Sequence, residues 1–376
     1  MFSAEDLPPD VFEAAEAAYF APDGPAKVAL WESAVARADA ANLPAEVRMS
    51  FREELVEAAA SDGVKQYDRA FGPWATLLAE ADRDPDAEWV DWYQLLWKYK
   101  WLSDSTGEYA AIPREKIFAI LDDFADRAAA HGFSARPAEN YRANNAWLLG
   151  DVEAAAAAMK RFEAAPRDGL SDCRACETAR AVQFAVQTGD DAGAVERFIP
   201  LAAGRLGCAE EPENTHGMLL APLIRLGRDE DAAERHRIGL NALKRFPQFV
   251  SRGADHLDYL TRTGDLTAGG RVFKRFARSV PAVPDHDRWR FLGASEVFLE
   301  AVAAKSDKAK RFALPAGFPV PYANGPDAGG PVKPSDLAAQ IGAAADAIEA
   351  KFNARNGNDA FTRRRAAARA FAQGAG

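Results

Sequence analysis

The chain has 376 residues, a formal net charge of −10 and three cysteines. That acidic balance disfavours nonspecific binding of nucleic acid by the whole surface, and three cysteines in so long a chain exclude a secreted disulfide framework. No apolar run approaches the roughly 18 residues that span a bilayer, and the opening MFSAEDLPPD lacks a basic flank and an apolar centre, so the expectation is a soluble, cytoplasmic protein without a membrane partner.

Alanine is abundant, prolines and glycines fall between apolar stretches, and no alternating run of β-branched residues appears, which argues for helices almost throughout. From the N-terminus, DGPAKVALW at Gly24 and DGVKQYDRA at Gly63 are a faint pair of turns 39 residues apart; Ala29 keeps a small residue five past the first, and Asp68 breaks the pattern at the second. A further hairpin is expected over Asp86 to Gly132, with Gly107 in its turn. Within it, EWVDWYQLLWKYKW holds Trp89, Tyr93, Trp97 and Trp101 at intervals of four, a drifting helical face, with Trp92 and Tyr99 pointing elsewhere. Two readings stand: core packing, or aromatic anchors for a bound protein or peptide at Trp89, Trp92, Tyr93, Trp97 and Trp101.

The middle of the chain carries the clearest internal period. LLGDVEAAA at Gly150, QTGDDAGAV at Gly189, RLGRDEDAA at Gly227 and RTGDLTAGG at Gly264 are spaced by 39, 38 and 37 residues. A glycine can take the left-handed conformation that stops one helix. The residue five further on is small each time, Ala155, Ala194, Ala232 and Gly269, which lets the returning helix approach closely. Val195, Phe198, Ile199, Ala202 and Leu206 form one apolar stripe after Gly189; Leu266, Gly269, Phe273, Phe276 and Val280 form another after Gly264. Each hairpin has a face that only a neighbour can bury. Pro200 and Pro222 are expected to kink their helices.

With Pro166, Pro247 and Pro281 closing three of these four hairpins, this pattern resembles that of tetratricopeptide-repeat proteins over Tyr141 to about Val283, with a period longer than theirs. The chain also resembles, through its C-x-x-C and C-x-E-x-P pieces, a group of bacterial tetratricopeptide-like proteins; that resemblance implies a fold and no activity. The fold expected is all-α, a right-handed α-solenoid of about seven such hairpins over 1–312, best defined over 141–283. After it come a proline- and glycine-rich linker or surface loop over 313–334 and a capping helix with a basic tail over 335–376, whose last residues are expected to be mobile.

Cys173 and Cys176 fall at the start of the helix before Gly189, and Cys208 falls at the end of the helix after it, so an antiparallel hairpin brings them together. His216 enters the next repeat from the same end. The four suit a tetrahedral structural zinc; Glu210, Glu211 and Asp172 are alternatives for the fourth ligand. Small buried thiols, or a redox pair at Cys173 and Cys176, are the competing readings. His131, His236, His256 and His286 form no constellation in the sequence. No G-x-S-x-G, H-E-x-x-H or phosphate loop occurs. Basic residues concentrate over Arg228–Arg311 and again after Lys351, where Arg363–Arg365 read as a solvated terminus rather than a nucleic-acid contact. The function expected is a non-catalytic scaffold for a protein or peptide. The alternative is a regulatory solenoid sensing a small peptide or metabolite.

Overall fold

The computed structural model describes residues 7–61, 64–325 and 328–374. It is all-α: 72% is helical, and among the described residues there is no strand, only an isolated bridge between Lys310 and Val332. None of the described helices is long and apolar enough to cross a membrane. Gly63 lies outside the described residues.

The chain divides into two compact units. One takes the chain up to Thr106 with Ile117–Arg142 and Arg161–Leu170; the other takes Gly107–Lys116, Ala143–Lys160 and everything from Ser171. In the first, α1 (Pro9–Phe20), α2 (Pro25–Ala40), α3 (Ala45–Ala60), α4 (Tyr67–Arg83) and α5 (Trp92–Ser105) pack each on the next. Its core joins Trp31 edge-on to Phe51 at 5.7 Å, while Tyr99 lies between Trp74 and Phe124 at 5.5 Å from each. Most of α6 (Arg114–Ala130) belongs here, and Ile117, Leu121 and Phe124, at i, i+4 and i+7, form its buried stripe. Helices α7 (Arg136–Leu148) and α8 (Val152–Ala164) contribute residues to both units.

The second unit continues with α9 (Arg174–Thr188), α10 (Asp191–Ala202), α11 (Leu220–Arg225), α12 (Asp229–Ala242), α13 (Val250–Thr263), α14 (Leu266–Phe276), α15 (Asp285–Lys305), α16 (Pro321–Asn324), α17 (Pro334–Asn356) and α18 (Ala360–Ala372). The recurring turn is built as its sequence suggests. Gly150, Gly189, Gly227 and Gly264 have φ of +82°, +78°, +69° and +75°. At three of these turns the aspartate after the glycine caps the next helix, accepting from the N–H three residues on: Asp151 from Ala154 at 3.0 Å, Asp190 from Gly193 at 2.9 Å and Asp265 from Ala268 at 2.9 Å. At the fourth, Arg228 offers no side-chain cap, and Asp229, Glu230 and Asp231 fill the first turn instead. Ala155, Ala194, Ala232 and Gly269 are all buried.

Three local expectations change. Pro222 lies in the first turn of α11, where its missing N–H has no intrahelical role, so it begins a helix instead of bending one. The segment 313–334 is no free linker: Phe318, Val320 and Tyr322 are buried, and the Tyr322 hydroxyl accepts from the Phe312 N–H and donates to Gly330 O at 2.8 Å. The basic end is not a solvated terminus: its short helix packs on the unit with Phe361 and Phe371 buried.

Candidate metal centre

Cys173 is the N-cap of α9; its Sγ accepts from the Cys176 N–H at 3.3 Å, so the C-x-x-C pair forms the helix's first turn. The positive end of the helix dipole lies there, and it favours anionic sulfur. Cys208 sits in the loop after α10, where Gly204, at φ +65°, helps turn the chain back. Its N–H donates to Glu211 O at 3.0 Å; burial pushes its thiol up, partly offset by the backbone N–H groups of Glu210 and Glu211, which donate to its sulfur. The antiparallel α9–α10 pair brings these ends together. Cys173 Sγ lies 3.2 Å from Cys176 Sγ, and Cys176 Sγ lies 3.5 Å from Cys208 Sγ. All three lie within 4.8 Å of one another.

These separations are far too long for a disulfide, and the three cysteines are free. Burial and then the neighbouring sulfurs push the Cys176 thiol up, because three thiolates this close repel. A cation removes that repulsion. Thiolates roughly 2.3 Å from a tetrahedral zinc stand about 3.8 Å apart, so the sulfurs need move by only a few tenths of an ångström. The donor set fits a thiophilic ion.

His216 is not part of this group. Its ring meets Phe198 edge-on with centroids 5.2 Å apart, it is 3% exposed, and its Cβ faces Gly239 of α12. Nearness to Cys208 in the chain suggested a ligand; the 3₁₀ turn Gly217–Leu219 directs the histidine instead into the packing of α10, α12 and α13. Glu211 is also committed elsewhere. Its buried carboxylate accepts from Thr215 Oγ1 at 2.6 Å and Asn214 Nδ2 at 3.3 Å, and burial raises its pKa to about 7.

The histidines do form a constellation, contrary to the sequence reading. His236 on α12 and His256 on α13 approach with 3.0 Å between their Nδ1 atoms, and His236 also stacks on Tyr259 at 4.7 Å between centroids. Burial lowers His236 and His216 to about 4 and holds His256 well below its ordinary value, so all three are neutral near pH 7. A signal was present in His236-x-x-Gly239: a Cβ at Gly239 would come within 2.6 Å of His216 Cβ and 3.2 Å of His256 Nε2. A mid-helix glycine marks such a close approach.

In the first unit Asp91 caps α5, accepting from the N–H groups of Tyr93 and Gln94, so Trp89 precedes the helix and does not share its periodic face. Tyr93, Trp97 and Trp101 make a half-exposed row with centroid spacings of 5.9 and 6.1 Å, and Trp92 stacks on His131 at 4.5 Å. Lys100, fully buried, holds its Nζ 3.2 Å from the centre of the Trp97 ring and donates to Leu170 O. No protein-family model matches the chain, and no curated protein matches it in sequence.

Proposed function

We propose that this protein is a non-catalytic, tetratricopeptide-like helical scaffold that recognises a protein or peptide, with zinc joining the two ends of the α9–α10 hairpin through Cys173, Cys176 and Cys208. The observation that carries the metal is the convergence of three sulfurs from two chain segments at one turn. The glycine–aspartate turns support the repeat reading, since at three of the four turns one helix is stopped and the next restarted by the same two residues. The half-exposed Tyr93, Trp97 and Trp101 support recognition, because large aromatics dominate interface energetics. Metal binding supplies on the order of 10 kcal/mol where folding and binding are coupled. The purified protein is expected to hold about one zinc per chain by elemental analysis, and Cys176→Ser to lose the ion and melt several degrees lower. Metal-free protein of unchanged melting temperature would reject the metal.

One observation favours a second reading, a regulatory module that senses a small metabolite or peptide. The second unit carries a cavity of about 330 Å³, open on one side and lined by Trp147, Trp289, Arg290, Arg364, Asp255 and Asp258, among others. Arg364 stacks on Trp147 at 3.6 Å, and burial lowers its pKa to about 10. No carboxylate contributes to that shift. Native mass spectrometry separates the two: a co-purified small ligand supports sensing, and its absence with a stoichiometric protein partner supports the scaffold.

A further inference from the structure

We infer that the ion bound by Cys173, Cys176 and Cys208 keeps one coordination position that this chain does not fill, so that the site accepts an external thiolate or imidazole. The inference rests on the metal reading above and deepens it. Among the described residues the group of histidines, cysteines and carboxylates able to share an ion stops at the three thiols. His216 is fixed between Phe198 and Gly239, and the Glu211 carboxylate is held by Thr215 and Asn214. Neither Asp172 nor Glu210 belongs to the group. Cys173 and Cys208 are exposed, so the three-sulfur group lies at the surface, where an outside ligand can reach it.

A divalent ion with three thiolates bears a net charge of −1 and still prefers four ligands, so water or an outside donor completes the shell. The soft environment set by three sulfurs favours thiolate and imidazole over carboxylate as that donor. Imidazole binds through its neutral nitrogen with no bond broken, whereas a thiol binds as the thiolate, its S–H bond breaking and the proton passing to solvent; either displaces water from the fourth position. A low-molecular thiol and a cysteine or histidine from another protein share this chemistry. An open position on a structural clasp makes the closure of the α9–α10 hairpin responsive to what surrounds it.

Cobalt(II) reports on this directly, since its visible ligand-field bands change with the fourth ligand. The cobalt-loaded full chain is titrated with imidazole, with 2-mercaptoethanol and with a short cysteine-containing peptide, and cobalt content is measured after desalting. The expected result is a saturable spectral change with the ion retained. A response to both thiols shows a position open to either source, whereas a response to 2-mercaptoethanol alone assigns it to small thiols. Asp172→Asn, Glu210→Gln and His216→Ala are expected to retain both the ion and the response, while Cys208→Ser loses the ion. A spectrum unmoved by every added ligand overturns the inference, as does loss of the native spectrum in any one of those three variants, which would name the fourth protein ligand. A chain that binds no cobalt or zinc at all overturns the metal reading and this inference with it.

Discussion

At the scale of single residues, the second unit uses glycine for two different physical reasons, and substitution separates them. Gly189 ends α9 at φ +78° with open space where a Cβ would stand, so alanine there suffers only backbone strain, about 1 kcal/mol. Gly269 lies inside α14, and a Cβ there would stand 2.6 Å from Cε2 of the buried Phe298. An aromatic ring packed on the far side cannot move aside as a flexible chain end could. Gly269→Ala gains helix propensity but forces the ring and its neighbours apart, a net loss of roughly 1–3 kcal/mol. Urea unfolding of the two variants is expected to place Gly269→Ala below Gly189→Ala. The reverse order would mean that α14 and α15 are less closely packed than the Phe298 contact indicates.

At the scale of elements, the contact between α12 and α13 makes stability depend on acid. His236, His256 and nearby His216 are neutral when folded because burial disfavours their cations, and their values lie below the roughly 6.5 of an unfolded histidine. The unfolded chain therefore binds more protons between about pH 6.5 and 4, and the histidines' contribution is present above that window and lost as pH falls through it. Asp258, raised to about 6 by burial, acts in the opposite sense: its contribution is present at low pH and lost as pH rises through about 6. A variant compared with the parent isolates the histidines. His236→Phe keeps the stack on Tyr259 but removes one titrating ring and its contact with His256. It is expected to be about 1 kcal/mol less stable at pH 7 and to recover that deficit by pH 5. A difference independent of pH, measured by denaturant unfolding at both values, would mean that His236 takes up protons equally in the folded and unfolded states. This cluster also shows what was legible in the sequence. The turns at Gly150, Gly189, Gly227 and Gly264 and the three thiols were legible, because a left-handed stop and a hairpin's meeting ends are local consequences of spacing. The histidine pair depends on how α12 lies on α13, and His216 on which way a loop delivers a side chain. Neither is a property of spacing along the chain. The cap at Asp91, which leaves Trp89 outside α5, competes with aromatic periodicity and wins because it satisfies two backbone N–H groups.

At the scale of the whole molecule, the acidic chain closes its second unit with its most basic helix, and the burial of Phe361 on α18 matters more than the charges around it. Successive residues of a helix are about 100° apart, so the run Arg363–Arg365 fans out over three environments instead of forming a cationic patch. Arg363 pairs with Asp359 on the exposed side. Arg364 covers Trp147, and Arg365 reaches Glu296 at 2.7 Å and also pairs with Asp346. Arg369 extends the same series to Glu300. Arg363, Arg365 and Arg369 are thus paired with carboxylates of the same unit. Phe361 is fully buried, stacked on Phe352 at 4.1 Å and edge-on to Trp289 at 4.7 Å, so it holds α18 to α17 and α15 together. Truncating it removes the ring's transfer energy and leaves a cavity, about 3–5 kcal/mol, a large share of a total stability that is typically 5–15 kcal/mol. The Arg363–Asp359 pair, with both side chains about two-thirds exposed, is screened by solvent, and Arg363→Ala should change stability by less than about 0.5 kcal/mol. Calorimetry of the full chain is therefore expected to show Phe361→Ala melting many degrees below the parent and Arg363→Ala melting with it. Should Phe361→Ala melt with the parent as well, α18 would not be part of the cooperative fold of the second unit, and the ion pairs of Arg365 and Arg369 would be contacts of a detachable helix.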